Sequence, residues 1–167
     1  QALSFTIKPM NAFYARSIAY WKYDGIYAFY NMEFSTELIN ELMNGQYMAV
    51  TGASEEIVGF FCYGSPAQIL SGLHSGAYHS PTAIDIGLGM RPDLTGKGSG
   101  ANFVNLGVSY AKKHFYGDQI RLTVATFNQR AIRAYEKAGF KRGQTFTSMI
   151  DGMKLEFMTM SRSLNGE

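Results

Sequence analysis

The stretch IDIGLGMRPDLTGKGSG, residues 84–100, decides how the rest of the chain is interpreted. Apolar residues alternate with polar residues or glycine from Ile84 to Met90, which is typical of a β-strand. Pro92 ends this strand, and glycines follow at every second position. An apolar stripe with helical spacing comes next, made of Ala101, Val104, Val108, Ala111 and Phe115. The stretch therefore predicts a strand, a glycine loop and the start of a helix.

The glycine loop before this helix predicts an anion site. The first turn of a helix has N–H groups without intrahelical partners, at the positive end of the helix dipole. Phosphate groups bind at such ends. A nucleoside-triphosphate loop does not fit, because Arg91 takes the place of its first glycine and Gly98 follows Lys97. The dinucleotide fingerprint does not fit either, because its third glycine is out of place. A plain tight turn remains the alternative.

A second motif, FNQRAIRAYEKAGF at residues 127–140, favours the phosphate site over the plain turn. Asn128 is a good helix N-cap, Tyr135 follows on the same helix, and Gly139-Phe140 ends it. In this order, the two motifs resemble those of the GNAT superfamily of acyl-CoA-dependent N-acyltransferases. The cofactor motif of that family, Gln/Arg-x-x-Gly-x-Gly/Ala, corresponds to residues 95–100, with Thr95 in place of the usual Gln or Arg.

The pattern along the chain predicts a mixed α/β domain with one central sheet. Strands are predicted around Leu3–Ile7, Tyr47–Thr51, Ile57–Tyr63, Ile84–Met90, Ile120–Val124, Phe140–Ser148 and Lys154–Arg162. Helices are predicted from Pro9 to about Ala19, from Ser35 to Gly45, from the glycine loop to about Tyr116, and from Asn128 to Gly139. Ser65–Pro81 reads as a long surface loop with a helical turn near Gln68–Leu73, and the aromatic segment Tyr20–Phe34 has no assignment. The resemblance implies a GNAT-like fold over residues 1–167, a single domain with six or seven strands and about four helices.

Composition limits the classes of function. The chain has 167 residues, a formal net charge of +2 and a single cysteine. Its small positive charge, without a dense basic block, argues against nucleic acid as a partner. One cysteine provides neither a disulfide framework nor a cysteine-based zinc site, and no metal is expected. No apolar run reaches the roughly 20 residues of a membrane span, and no secretory signal is visible. We therefore expect a cytoplasmic enzyme or binding domain without a membrane partner.

The resemblance implies that acetyl-CoA is the co-substrate. Backbone groups of Leu88 and Met90 would pair with the amides of its pantetheine arm, and N–H groups of the glycine loop would bind its pyrophosphate. Lys97 or Arg130 could add charge, although Lys97 fits a solvated loop lysine equally well. Asn128 fits both a simple helix cap and a cofactor contact. The implied cofactor residues are Leu88, Met90, Thr95, Gly96, Lys97, Gly98, Gly100 and Asn128.

The resemblance also implies two catalytic candidates. In the family, a Tyr at the place of Tyr135 points its hydroxyl at the thioester sulfur and can protonate the departing thiolate. The alternative is an ordinary core aromatic. Asp85 is a candidate general base, and its alternative is an exposed or paired strand carboxylate. His74 and His79 lie in the long loop, where a solvated role is the simpler interpretation. The family often uses ordered water and backbone carbonyls instead of a dedicated base.

The implied function is transfer of an acetyl group from acetyl-CoA to a primary amine by direct attack in a ternary complex. The acceptor would be a small amine or a peptide N-terminus, between the aromatic segment Tyr20–Phe34 and the turn Met149–Met153. Two alternatives remain: a non-catalytic acyl-CoA sensor or interaction module on the same fold, and an unrelated phosphate-binding domain. The sequence leaves open the acceptor, the acyl chain and whether the protein is a monomer or a homodimer.

Overall fold

The computed structural model of the protein describes residues 4–165. Its strands are β1 (Thr6–Pro9), β2 (Tyr47–Thr51), β3 (Ile57–Tyr63), β4 (Ala83–Met90), β5 (Gln119–Ala125), β6 (Lys141–Ile150) and β7 (Met153–Ser163). Its α-helices are α1 (Ala12–Ala19), α2 (Thr36–Leu42), α3 (Leu70–His74), α4 (Gly100–His114) and α5 (Gln129–Lys137). Short 3-10 helices lie at Gly25–Tyr30, Ser65–Ala67 and Pro92–Leu94.

The seven strands form a mixed sheet in the order β1-β2-β3-β4-β5-β7-β6. β4 and β5 are parallel, and β7 pairs antiparallel with both β5 and β6. The predicted mixed sheet is confirmed. The described residues hold one α-helix more than the predicted four, because the helical turn expected in the long loop is the short helix α3.

Two compact units can be distinguished by their internal contacts. The first consists of the described part of Gln1–Cys62 together with Leu88–Ser99, and the second of Tyr63–Gly87 with the described part of Gly100–Glu167. The first unit has a core of six buried residues: Ala15, Ile18, Leu42, Ala49, Ile57 and Phe60. In the second, α4 buries Phe103, Val104, Gly107, Val108 and Ala111. Three of the five residues predicted for the apolar stripe of α4 are therefore buried, whereas Phe115 follows the helix and is 42% exposed.

Pro9 does not begin a helix, as the sequence suggested, but ends strand β1. β1 is the first strand in the sheet order, and Pro9 lies opposite Met48 of β2. Proline is tolerated on an edge strand because its missing N–H is not needed there. Helix α1 begins at Ala12. Its N-cap is Asn11, whose side chain accepts a hydrogen bond from the N–H of Tyr14 at 2.8 Å. Asn11 was not predicted as a cap, whereas the caps predicted at the other helix starts are confirmed: Ser35 caps α2 and Asn128 caps α5.

Gly89 on β4 has no room for a side chain, because the ring of Phe60 lies beside it. A Cβ at Gly89 would overlap the ring of Phe60, which packs in the core of the first unit beside Trp21 and Tyr47. The two ring centroids lie 6.4 Å and 6.0 Å from that of Phe60. The ring thus covers the bare glycine backbone and fixes the end of β4 against this aromatic cluster.

We expect Gly89→Ala to lower the free energy of unfolding by about 1–3 kcal/mol, because overpacking forces a core ring out of its place. Gly52→Ala is the matched control, since its Cβ would meet only the end of the Glu56 side chain, which can move away. Urea unfolding of both variants measures the difference. A loss for Gly89→Ala no larger than that of the control would contradict the overlap.

Candidate active site

At the end of β4, successive residues direct their backbone N–H and C=O groups to opposite edges of the strand. Arg91 donates its N–H to the carbonyl of Val58 at 2.8 Å, and the carbonyl of Asp85 accepts from the N–H of Gly64 at 2.9 Å. Alternate residues of an antiparallel strand face its partner, so the odd-numbered residues of β4 direct their backbone groups towards β3. Leu88 and Met90 therefore direct theirs to the opposite edge. β5 pairs with β4 from Ala83 to Asp85, so both residues lie beyond that pairing.

The loop that follows β4 has the shape expected of an anion cradle. Gly96 and Gly98 have φ of +72° and +86°, a region that favours glycine. A Cβ at Gly98 would meet no atom within 4 Å, so the space beside this exposed backbone is open. The loop leads directly into α4, a helix of 15 residues whose first N–H groups have no intrahelical partners. The residues present therefore fit a phosphate group at Gly98.

Ser99 adds a polar group to this loop. Its hydroxyl oxygen is buried and has no hydrogen-bond partner within the part of the chain that the structure describes. A buried hydroxyl without a partner is unfavourable, so most such groups in proteins are bonded. Because this oxygen is not accessible, it can reach a ligand only if the loop shifts, whereas the exposed backbone at Gly98 needs no such movement.

Thr95, which replaces the usual Gln or Arg of the motif, closes the turn before the cradle. Its hydroxyl donates to the carbonyl of Pro92 at 2.7 Å. The carboxylate of Asp93 in the same turn accepts from Arg91 at 2.6 Å, and this hydrogen bond lowers the pKa of Asp93 below its usual range. The turn thus has no cation at position 95, and Lys97 is the exposed basic residue of the loop.

Gly100 has a reason of its own to be glycine. A Cβ at this position would lie 3.0 Å from the Cβ of Ala134, closer than most such contacts. The first turn of α4 therefore packs against α5 one residue before Tyr135. Helix packing therefore favours glycine at position 100, and the phosphate contact that the resemblance implies for its N–H stays a prediction.

Tyr135 is held by the cap that ends α5. The N–H of Phe140 donates to the carbonyl of Tyr135 at 2.9 Å, and the N–H of Gly139, with φ of +95°, donates to the carbonyl of Glu136 at 3.0 Å. These two bonds form a Schellman motif, in which the residue after the glycine packs against the residue five positions earlier. The ring centroids of Tyr135 and Phe140 accordingly lie 6.2 Å apart. The Gly-Phe pair of the motif thus orients the tyrosine.

Asp85 is buried and paired. Its carboxylate accepts from Nε of Arg121 at 2.7 Å, from a second guanidinium nitrogen of Arg121 at 2.8 Å, and from Nε2 of Gln68 at 2.8 Å. Asp85 and Arg121 are direct partners in the parallel register of β4 and β5, and their side chains are 5% and 7% exposed. These contacts favour the paired-carboxylate alternative over the base role.

The same network fixes the long loop between β3 and β4. The hydroxyl of Tyr78 lies 2.7 Å from that of Thr123 and accepts from the N–H of Ile69 at 3.0 Å. The guanidinium of Arg121 lies over the ring of Tyr78, 5.1 Å from its centroid. Burial raises the pKa of the Tyr78 hydroxyl, which therefore stays protonated at neutral pH. The loop that the sequence predicted is thus bonded to β4 and β5 through the side chains of Gln68 and Tyr78.

Sequence reasoning missed Gln68, Tyr78 and Arg121. Gln68 and Tyr78 lie in a loop, where no periodicity exists to place them. Arg121 did carry a signal, because Asp85 and Arg121 each follow the first isoleucine of a predicted strand. Opposite charges at equivalent positions of two neighbouring parallel strands indicate an ion pair once the register is known.

The candidate residues fall into two groups. Leu88, Met90 and the loop at residues 95–98 belong to the first unit, whereas Asp85, Gly100, Asn128 and Tyr135 belong to the second. An open groove of about 800 Å³ in the second unit, with Lys137, Lys141 and Arg162 in its walls, is lined by none of them. Over residues 4–165, no group of three potential metal-ligating side chains occurs, and no helix is long and apolar enough to cross a membrane.

Comparisons with known proteins identify one family from the sequence and a shared fold from solved structures. A family model described as the acetyltransferase (GNAT) family matches residues 13–140. A comparison with the sequences of curated proteins finds no significant match.

Solved structures with a similar fold include a chimera of the spermidine N-acetyltransferase SpeG from Vibrio cholerae and hSSAT, with 18% identity over 94% of this chain and 93% of that one and a TM-score of 0.72. A GNAT-family acetyltransferase from Bacillus anthracis has 17% identity over 98% and 96% and a TM-score of 0.72. NAA60 from Arabidopsis thaliana, in complex with acetyl-CoA, has 18% identity over 98% and 100% and a TM-score of 0.68. At these identities, the structures support the fold alone.

Proposed function

This chain belongs to the GNAT family of acetyltransferases, and from that premise we propose that it transfers an acetyl group from acetyl-CoA to a primary amine. Membership confirms the resemblance inferred from the two motifs and makes the chain a transferase. The observation that carries the choice of acetyl-CoA is the open backbone at Gly98, a cradle that a side chain would fill. Leu88 and Met90, on the part of β4 beyond its pairing with β5, would hold the pantetheine arm, and Asn128 would add a cofactor contact.

Bound acetyl-CoA supplies a thioester whose carbonyl carbon can accept a nitrogen nucleophile. As the C–N bond forms and the C–S bond breaks, the sulfur leaves as a thiolate that needs a proton. We assign that proton to the hydroxyl of Tyr135, acting as general acid. The ring is held by Phe140, so its direction is fixed before any ligand binds.

The amine must lose a proton during the reaction. Asp85 already accepts hydrogen bonds from Arg121 and Gln68. We therefore propose that water accepts the proton of the amine and that Asp85 has no part in the chemistry. The acceptor is proposed as a small amine or a peptide N-terminus, reached from the side of the aromatic segment Tyr20–Phe34. A location in the cytoplasm and a monomeric or homodimeric state stay predictions of the sequence.

The first test is the binding of acetyl-CoA by calorimetry, with wild type and Gly98→Trp. We expect binding by the wild type and its loss in the variant, since the indole would occupy the cradle. Gly45→Trp is the matched control, because Gly45 also has a positive φ, +94°, with no atom within 4 Å of its Cβ position. The control carries the same backbone strain outside the proposed site, so it should bind as wild type does.

The outcomes separate the alternatives. Equal binding by wild type and Gly98→Trp would remove the loop from the cofactor site. Absence of wild-type binding would contradict the proposed function as a whole. Binding without release of free thiol, with a panel of primary amines, would favour the non-catalytic acyl-CoA sensor.

A further inference from the structure

The peptide group between Met90 and Arg91 is held at both ends. At one end, the N–H of Arg91 donates to the carbonyl of Val58 at 2.8 Å. At the other end, the carbonyl of Met90 accepts from the hydroxyl of Tyr23 at 2.6 Å. Tyr23 is 67 positions away in the sequence, in the aromatic segment that the sequence could not assign. This bond therefore joins that segment to the edge of β4.

Tyr23 is itself fixed by its neighbours. Its N–H donates to Oδ1 of Asn31 at 2.6 Å, and its ring lies edge-on to Tyr30, at 6.4 Å between centroids. Both partners flank or belong to the 3-10 helix Gly25–Tyr30. The phenol that bonds to Met90 is thus held in place by contacts of its own backbone and ring.

The strand end beyond this peptide is also restrained. The guanidinium of Arg91 bonds to both carboxylate oxygens of Asp93, at 2.6 Å and 3.2 Å, and to the carbonyl of Ile57 at 3.3 Å. The hydrogen bond to Asp93 raises the pKa of Arg91 above its usual value, so this ion pair stays charged. The backbone at Met90 is therefore held in one position, on the edge of β4 that faces away from β3.

We propose that Tyr23 is a positioning residue for the acyl donor, which acts by fixing the Met90 carbonyl on the edge where the pantetheine arm pairs. This inference rests on the proposed function. A carbonyl oxygen accepts two hydrogen bonds, so the bond from Tyr23 leaves one lone pair for an amide of the ligand. A group that is ordered before binding loses little freedom on binding, which strengthens affinity.

The test removes the hydroxyl and keeps the ring. We expect Tyr23→Phe to weaken acetyl-CoA binding about three- to tenfold, the usual value of one hydrogen bond. Adenosine 3′,5′-bisphosphate, the nucleotide end of CoA without the pantetheine arm, should bind the variant as it binds wild type. Both affinities are measured by calorimetry.

Tyr63→Phe is the matched control, because the Tyr63 hydroxyl donates to a backbone carbonyl as well, that of Gly107 at 2.8 Å. It should leave both affinities unchanged. An unchanged affinity of Tyr23→Phe for acetyl-CoA, or an equal loss for both ligands, would overturn the positioning role while leaving the proposed function intact. If Tyr23→Phe does not fold, Asn31→Ala replaces it; releasing the Tyr23 N–H should weaken acetyl-CoA binding alone, and an unchanged affinity would overturn the inference. Failure of wild type to bind acetyl-CoA would instead contradict the proposed function itself.

Discussion

Asp85→Asn is expected to lower the free energy of unfolding by about 3–5 kcal/mol, because it leaves the guanidinium of Arg121 charged and buried without its counter-ion. The side chains of both residues are almost fully buried, and asparagine would keep a single acceptor oxygen for the three donors of Arg121 and Gln68. Such a loss is a large part of the stability of a domain of this size. Urea or guanidinium unfolding, followed by circular dichroism, measures it.

Asp93→Asn is the control for this experiment, since it breaks an ion pair with Arg91 in which the aspartate side chain is 64% exposed. Exposed pairs contribute about 0–1 kcal/mol, so this variant should unfold almost as wild type does. The double variant Asp85→Leu with Arg121→Met should lose less than Asp85→Asn alone, because no charge stays unpaired. Equal losses for Asp85→Asn and Asp93→Asn would contradict a structural role for the buried pair.

The same variant tests the role that the sequence left open for Asp85. A general base that is lost lowers kcat at unchanged stability, whereas a lost structural pair lowers stability. A stable Asp85→Asn protein with strongly reduced turnover would therefore restore Asp85 as the base.

The second large effect is expected for Tyr135→Phe, which should reduce kcat by about 10²–10⁴-fold, the usual contribution of a positioned general acid. Its affinity for acetyl-CoA should change little, because the ring stays packed against Phe140 and only the hydroxyl is removed. Release of free thiol from acetyl-CoA in the presence of primary amines provides the rate. Calorimetry provides the affinity.

Tyr116→Phe is the matched control, since Tyr116 is fully exposed and makes no part of the proposed site. It should turn over at the wild-type rate. Turnover of Tyr135→Phe within a few-fold of wild type would contradict the general-acid role and return Tyr135 to the alternative of a packing aromatic.

The sequence predicted the features that depend on residues close together in the chain, such as strand bounds and helix caps. β2 and β3 have the predicted bounds, because each is a short apolar run between turn residues. Ser35 and Asn128 cap their helices with side-chain bonds to residues three positions later, so the signal and the structure lie within one turn. The predicted helix that carries Tyr135 is likewise confirmed, because its cap and its end are encoded within a few residues.

The contacts that sequence reasoning missed join distant positions. Asp85 and Arg121 are 36 residues apart, and Tyr23 and Met90 are 67 apart. Each depends on strand register or on the path of an irregular segment, which no short motif encodes. Tyr20–Phe34 resisted assignment because its 3-10 helix lacks the apolar periodicity of an α-helix or a strand. Pro9 was misplaced because a proline suits both a first helical turn and an edge strand.

The cap at the end of α5 has a consequence for how this protein could be altered. The two Schellman bonds of this cap join residues between 135 and 140, so the cap closes with little cost in chain entropy. The geometry of this cap therefore does not depend on the lengths of loops elsewhere in the chain. Under the proposed function, insertions or deletions in the aromatic segment or in the turn after β6 would therefore alter the choice of amine without altering this cap. Relatives with different acceptors would then share the cap and differ in these two segments.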